Sequence, residues 1–260
     1  MPDLELLFLG SGTSAGIPMI GCHCPRCCSS DPRDHRTRPS VLISYNGCSV
    51  LVDAAPELRL QCLANGVEHI EAIAFTHAHA DHIMGLDDVR RFNTLRGGQP
   101  LDVWADEATH NILGLAFGYA FRPPRHEPGV YRPHLTQRLI SGPFEIQGVT
   151  WTAVPVFHGE APILAYRIGR LAYCTDVSRM PDESFALLRD LDVLVIDALR
   201  FRPHPTHFSI EQAIEAAGRI GAAQTYFTHI AHDVLHESTS RSLPPGVQLG
   251  YDGLRVRARL

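Results

Sequence analysis

The segment 77-HAHADH-82 places three imidazoles and a carboxylate within six positions, directly after the apolar run Ile70, Ala72, Ile73, Ala74 and Phe75. A buried strand that ends in metal-ligand side chains constrains the fold strongly, because the rest of the chain must bring further ligands to the same strand end. His77 and His79 are separated by one residue, so an extended or tightly turning backbone points both rings to one side. Asp81 and His82 are adjacent and diverge, which suits a second ion close to the first, and Ala78 and Ala80 leave room for the rings. A surface turn that happens to hold histidine is the bland alternative. The 15 histidines among 260 residues do not make three in six positions commonplace.

Two ions need more ligands than this segment holds. The chain supplies them with one grammar, a polar residue that follows an apolar strand: His158 after 149–157, Asp176 after 171–175 and His229 after 224–227, while Asp53 ends the strand 49–52. Each residue alone reads equally as a cap or a surface side chain. As a set they mark strand ends able to converge on one pocket.

The remaining pattern fits one core. Residues 4–9 form a short apolar strand followed at once by Gly10, Gly12 and Gly16. Strands at 41–44 and 49–52 are joined through Asn46-Gly47, whose residues accept positive φ and favour a tight hairpin turn. Further strands are expected at 70–75, 101–105, 144–146, 149–157, 163–168, 171–175, 193–196 and 224–227, with hairpin turns at Gly148 and Gly169-Arg170 and a terminal one at Asp252-Gly253. Helices are expected at 58–65, 83–94, 107–115, 182–189 and 209–220, with another after His232; Ser209 and Gln212 have capping-box spacing. Residues 118–143 hold Pro123, Pro124, Pro128 and Pro133 among aromatic and basic side chains and read as an excursion that roofs an active site. Sheet at both ends with interspersed helices gives an α+β chain of two mixed sheets packed together, helices outside, in one domain over 1–260.

Lys and Arg number 23 against 28 Asp and Glu, a formal charge of -5, which gives no global attraction to a polyanion. Nucleic acid is therefore an unfavoured partner. The first residues lack the basic region and long apolar core of a signal peptide, and no run approaches the roughly 20 apolar residues of a membrane span, so a soluble cytoplasmic protein is expected. In that compartment Cys22-x-Cys24-x-x-Cys27 reads as a zinc loop within 20–40 rather than as disulfides, with a redox pair or inert thiols as alternatives. Three thiolates leave a closed tetrahedral site one ligand short, and Cys28 is sterically awkward as the fourth. Cys48, Cys62 and Cys174 stand among apolar residues and read as core.

The set 77-HAHADH-82, His158, Asp176 and His229, with Asp53 upstream, resembles the metallo-β-lactamase-fold hydrolase superfamily. Within it, 10-GSGTSAGIP-18, 22-CHCPRC-27, 36-RTRPS-40, 206-THFS-209 and 228-THIAH-232 resemble the branch containing the phosphoribosyl 1,2-cyclic phosphate phosphodiesterase of phosphonate utilisation, across nearly the whole chain. The resemblance implies a four-layer αββα sandwich and two divalent ions, manganese or zinc: His77, His79 and His158 on one, Asp81, His82 and His229 on the other, Asp176 bridging. It implies that Asp53 steadies the histidine loop by hydrogen bonds, that His232 completes a structural zinc site, and that the chain forms a homodimer. It gives His207 the role of acid catalyst or phosphate binder, with His204 as its neighbour and competitor. Arg36 and Arg38 offer charge-assisted hydrogen bonds to a phosphate or ribose, or else a structural ion pair.

The implied activity is hydrolysis of a small cyclic phosphate diester by a metal-bridging hydroxide, the paired ions lowering the pKa of water and steadying a pentavalent phosphorus. Two other readings share parts of the pattern. Transfer-RNA 3′-end processing shares the glycine loop and the histidine motif but would want a basic clamp, which the sequence lacks. A non-hydrolytic protein of pyrroloquinoline quinone biosynthesis shares the cysteine run, and its discriminator would be an eroded ligand set, whereas all seven ligands stand here. A pure binding module offers no reason for a complete two-metal set.

Overall fold

The computed structural model describes residues 3–122 and 131–260, so residues 123–130 of the expected roof lie outside the described residues. Among the described residues fourteen strands run β1 (Asp3–Gly10), β2 (Ser40–Tyr45), β3 (Cys48–Val52), β4 (Ala72–Ala74), β5 (Leu101–Ala105), β6 (Leu135–Leu139), β7 (Phe144–Ile146), β8 (Val149–His158), β9 (Ala161–Ile168), β10 (Leu171–Cys174), β11 (Val193–Asp197), β12 (Gln224–Thr228), β13 (Val247–Leu249) and β14 (Arg255–Arg259). They form two seven-stranded sheets, ordered β14-β1-β2-β3-β4-β5-β6 and β13-β12-β11-β10-β9-β8-β7. In each sheet antiparallel hairpin pairing gives way to parallel pairing, at β3–β4 in the first and β10–β11 in the second.

Alternation along the strands builds three apolar layers. In β1, Leu4, Leu6 and Phe8 face the opposite sheet while Leu7 and Leu9 face the helices; in β10, Leu171 and Tyr173 face the other sheet while Ala172 and Cys174 face outward. Both faces of the central strands are therefore dry, which is why they read as unbroken apolar runs. The inter-sheet layer is tied at Tyr45, whose hydroxyl donates to the Ile146 carbonyl at 3.0 Å and accepts from Trp151 Nε1 at 3.0 Å. Helices α1 (Leu58–Asn65), α2 (Ala80–Ile83), α3 (Arg90–Leu95) and α4 (Glu107–Phe117) accompany the first sheet, and α5 (Asp182–Leu187), α6 (Ile210–Ile220) and α7 (His236–Ser240) belong to the second half. The αββα arrangement is thus the one expected. The capping box of α6 is present in both directions, Ser209 Oγ accepting from Gln212 N and Gln212 Oε1 from Ser209 N.

Three expectations need correction. The helix expected at 83–94 is broken at Gly85, whose N–H leaves the helical ladder for the Ala54 carbonyl at 2.9 Å; a Cβ there would stand 2.0 Å from the Ala55 oxygen. The excursion at 118–143 contains β6, an edge strand in parallel register with β5 from Leu101↔Leu135 onward. The terminal hairpin does not exist, because β13 pairs with β12 in one sheet and β14 with β1 in the other. The turn at Asp252-Gly253 instead carries the chain from sheet to sheet.

A buried polar node fixes that crossing. The Asp252 carboxylate accepts from Ser11 N (2.9 Å), Ser11 Oγ (2.8 Å), Thr37 N (2.7 Å) and Thr37 Oγ1 (2.6 Å). Beside it Arg36, only 1% exposed, donates to Ser11 Oγ, to the Gly250 carbonyl and to His236 Nδ1 at 3.3 Å. Burial and the neighbouring Arg36 charge push His236 down from 6.5 to about 4. A depressed imidazole stabilises the fold fully above its unfolded value, and that contribution is lost as pH falls toward the folded value. Urea titrations should therefore show wild-type stability falling between about pH 6.5 and 4 more steeply than in His236→Asn; identical acid limbs in the two proteins would exclude His236 as a source.

Candidate metal centre

Strand ends from both sheets meet along one edge of the sandwich. Parallel register aligns the ends of β10, β11 and β12 (Cys174↔Ile196, Asp197↔Thr228), and likewise β3 with β4 (Val52↔Ala74). Asp53, Asp176 and His229, each just beyond a strand, take left-handed φ values of 61°, 59° and 58°. Such conformations cost of order 1–3 kcal/mol each and persist where the surroundings over-determine them. Here they turn the chain sharply at the strand end. His79 is the N-cap of α2, whose first turn brings Asp81 and His82 to the same place.

The expected ligands converge in two groups. Donor atoms of His77, His79, His158 and Asp176 lie within 4.8 Å of one another, and so do those of Asp81, His82 and His229. Asp176 spans both, its Oδ1 3.3 Å from His82 Nε2 and its Oδ2 3.4 Å from His229 Nε2. All are buried except His79, which is exposed at the solvent side. The geometry fits a metal on two counts. His77 Nε2, His82 Nε2 and both nitrogens of His229 are buried without a hydrogen-bond partner, a cost of about 1–3 kcal/mol each if nothing else engages them. The 3.3–3.9 Å spacings between imidazole nitrogens and Asp176 oxygens are near the roughly 3.4 Å edge expected between donors sharing one tetrahedral ion.

The opposite ends of these rings are tied down. Asp53, fully buried, meets His82 Nδ1 at 2.8 Å and accepts from Thr76 N and Thr76 Oγ1, both at 2.8 Å; Thr76 Oγ1 in turn meets His77 Nδ1 at 3.0 Å. His158 Nδ1 meets the Thr206 carbonyl at 2.7 Å. These contacts select which ring nitrogen faces inward. Burial holds His77 well below its ordinary value and also lowers His158, favouring the neutral form a ligand needs. Burial alone would lower His82 as well, but Asp176 and Asp53 outweigh it and hold that ring well above.

His207 lies against this set. Its ring stacks on His229 at 4.6 Å with an interplanar angle of 13°, stands 4.6 Å from His158, and its Nδ1 meets Asp197 Oδ2 at 2.8 Å. With Nδ1 so engaged, Nε2 is left for the site. Asp197 is the residue that sequence reasoning missed. A carboxylate closing the very apolar run 193–196 follows the same grammar as Asp176, and that signal could have found it. Thr76 and Thr206 were also missed, being ordinary strand-end and loop residues in sequence.

Other expected residues go elsewhere. Arg36 is not available to substrate, since its guanidinium is spent inside the node described above. Arg38 pairs with Glu57 and donates to the Ser14 carbonyl at 2.9 Å, the structural alternative foreseen for it. Cys22, Cys24 and Cys27 do form a cluster. A backbone hydrogen bond from Cys27 lowers Cys24 to about 7, while burial pushes Cys27 up to about 11. One thiolate forms readily and further ones are opposed, which suits a cation among them. His232 does not join the three within the same 4.8 Å, its Nδ1 facing Met19 Sδ at 3.0 Å.

The sandwich and its edge of imidazoles and carboxylates define the metallo-β-lactamase class of fold. Residues 49–230 match the family model described as a beta-lactamase superfamily domain. A crystal structure of a diphosphatase from the PhnP family is 45% identical, covers 99% of this chain and 98% of its own, and superposes with a TM-score of 0.92. The chain belongs to the beta-lactamase superfamily and, within it, to the PhnP family. Zinc-bound PqqB from Methylobacterium extorquens shares the fold at 22% identity, covering 97% of this chain and 99% of that one, with a TM-score of 0.76. An octanoyltransferase of Porphyromonas gingivalis is 37% identical over 97% of this chain, which spans only 51% of that protein.

Asp53→Ala should release the Thr76 and His82 contacts and weaken metal retention by about 10–100-fold. Metal counted after graded chelation should fall faster than in the wild type while the cysteine cluster keeps its own; equal retention would remove Asp53 from the metal centre's support.

Proposed function

We propose that the protein is a dinuclear metal-dependent phosphodiesterase that hydrolyses a small cyclic phosphate diester. The observation that carries this reading is the His207–Asp197 pair stacked on a two-group donor set, an acid–base side chain beside a site for two cations. His77, His79 and His158 would hold one ion, Asp81, His82 and His229 the other, and Asp176 would serve both. Manganese and zinc both suit such a mixture of imidazole and carboxylate. When bound, paired ions supply Lewis acidity toward water and the phosphoryl oxygens.

The chain's own residues do the rest. Asp53 and Thr76 fix the rings of His82 and His77 so that the donor set needs no rearrangement as charge develops. Asp197 holds His207 by Nδ1 and leaves Nε2–H for the departing alkoxide. Burial holds His207 below its ordinary value, with the Asp176 and Asp81 charges opposing that shift. A small anionic substrate also suits a chain of net charge -5. The acyl transfer in the name of the P. gingivalis relative belongs to a protein about twice as long, and a buried imidazole–carboxylate set supports hydrolysis at phosphorus better than acyl transfer.

Parallel turnover of phosphoribosyl 1,2-cyclic phosphate, 2′,3′-cyclic nucleotides, linear diesters and a transfer-RNA precursor should give the highest kcat/KM on a cyclic diester. A higher value on the transfer-RNA precursor would replace this reading with RNA processing. On an alkoxide-leaving substrate His207→Ala should lose roughly 10²–10⁴-fold in rate, and markedly less on a p-nitrophenolate leaving group. Equal losses on both would make His207 a phosphate binder rather than an acid.

A further inference from the structure

Four side chains at the metal centre are directly preceded by threonine: His77 by Thr76, Asp176 by Thr175, His207 by Thr206 and His229 by Thr228. Thr76, Thr175 and Thr228 are fully buried. At a dry strand end valine has nearly the same shape and no hydroxyl to take out of water, so packing alone does not call for threonine there. Three of the four hydroxyls meet a polar side chain in or beside the centre. Thr76 Oγ1 serves Asp53 and His77, Thr206 Oγ1 meets His204 Nδ1 at 3.2 Å, and Thr175 Oγ1 donates to Asp176 Oδ1 at 2.6 Å.

Thr175 carries the largest consequence, because Asp176 is the carboxylate shared between the two donor groups. Asp176 Oδ1 stands 3.3 Å from His82 Nε2, while Oδ2 stands 3.4 Å from His229 Nε2 and 3.9 Å from His77 Nε2. Which oxygen points where depends on the last side-chain torsion, and in aspartate that torsion is broad. The left-handed backbone of Asp176 decides only where its side chain leaves the strand end. Among the described residues Thr175 supplies the one hydroxyl that reaches this carboxylate, and a short bond to a charged oxygen pins its plane.

A second hydroxyl backs the first. In the inter-sheet layer Tyr45 and Tyr166 donate to the Ile146 and Phe75 carbonyls. The Tyr173 hydroxyl, two positions before Thr175 and fully buried, has no such acceptor. Its polar surroundings are the Thr175 hydroxyl and the Asp53, Asp176 and Asp197 carboxylates; burial and those charges hold it well above its ordinary value, so it remains a donor. A donor on that side favours the threonine proton pointing at Asp176.

We propose that Thr175 is a positioning residue of the metal centre, holding the plane of Asp176 so that one carboxylate serves both ions. The inference rests on the two-ion reading above and names the residue that sets the bridge.

Manganese titration of the protein, followed by the spin-coupled paramagnetic resonance signal of two manganese ions sharing a carboxylate, tests this without a substrate. Wild type should show the coupled signal. Thr175→Val should weaken the second ion by about 10–100-fold, the range for losing a group that orients a ligand, and should lose the coupled signal at manganese levels that saturate wild type. Thr175→Ala, which cannot crowd the layer, should match it, and Thr175→Ser, which restores the hydroxyl, should bring both readouts back. A residue that mattered only for packing would give the opposite order, valine keeping what alanine and serine lose. Full coupling in Thr175→Val, or no recovery in Thr175→Ser, overturns the proposal, and so does a wild type without a coupled pair. A wild type that forms the pair yet turns over no cyclic diester would sink the phosphodiesterase reading alone, and the titrations would still decide Thr175.

Discussion

Burying imidazoles and carboxylates together at one edge of two sheets is the constraint on which the rest of this structure depends. Each group removed from water without a partner costs about 1–3 kcal/mol, and this edge gathers several inward nitrogens that have none. The arrangement is held because the far sides of four rings are tied: His82 to Asp53, His77 to Thr76, His158 to the Thr206 carbonyl, His207 to Asp197. His77 Nε2, His82 Nε2 and His229 Nε2 all stand within 3.9 Å of the Asp176 carboxylate, and that convergence suits the site to cations rather than to a destabilised polar core.

The three apolar layers make such an edge possible. Because both faces of the central strands are dry, β3, β4, β10, β11 and β12 are held in register, and their ends are fixed relative to one another. Three of the residues just beyond those ends sit in left-handed backbone that free loops would avoid. A bond across the sheets, from Leu164 N to the Thr76 carbonyl at 3.0 Å, joins the two halves beside the histidine motif.

The glycine-rich loop after β1 belongs to the same frame. Ser11 O accepts from Ile230 N, and Thr13 N donates to Ile230 O, so the loop pairs with the residue next to His229. Asp252 and Arg36 pin Ser11 from the other side. Gly10 and Gly12 are required there by space: a Cβ would stand 2.0 Å from the Arg38 carbonyl oxygen at Gly10 and 2.9 Å from the Arg36 oxygen at Gly12. The C-terminal turn, the glycine loop and the strand end carrying His229 are therefore one mechanical unit built from distant parts of the chain.

What the sequence determined by itself was local and periodic. Alternating or unbroken apolar runs marked the strands, Asn46-Gly47 and Gly148 marked turns, Ser209 and Gln212 marked a cap, and polar residues placed just after apolar runs marked the side chains of the candidate metal centre, because each of these signals is set by neighbours within a few positions. Tertiary structure alone decided the rest. Arg36 and Arg38 read equally as phosphate or ribose contacts and as structural ion pairs, and residues 200 and 19 positions away decided it by engaging their guanidinium groups. Strands β13 and β14 looked like a hairpin until each found a better edge in a different sheet. Asp197 gained its meaning only when His207 folded back onto it, and His232 met Met19 across 213 positions. Those outcomes depend on which partner the fold brings to each group, and a sequence pattern of a few positions does not name that partner.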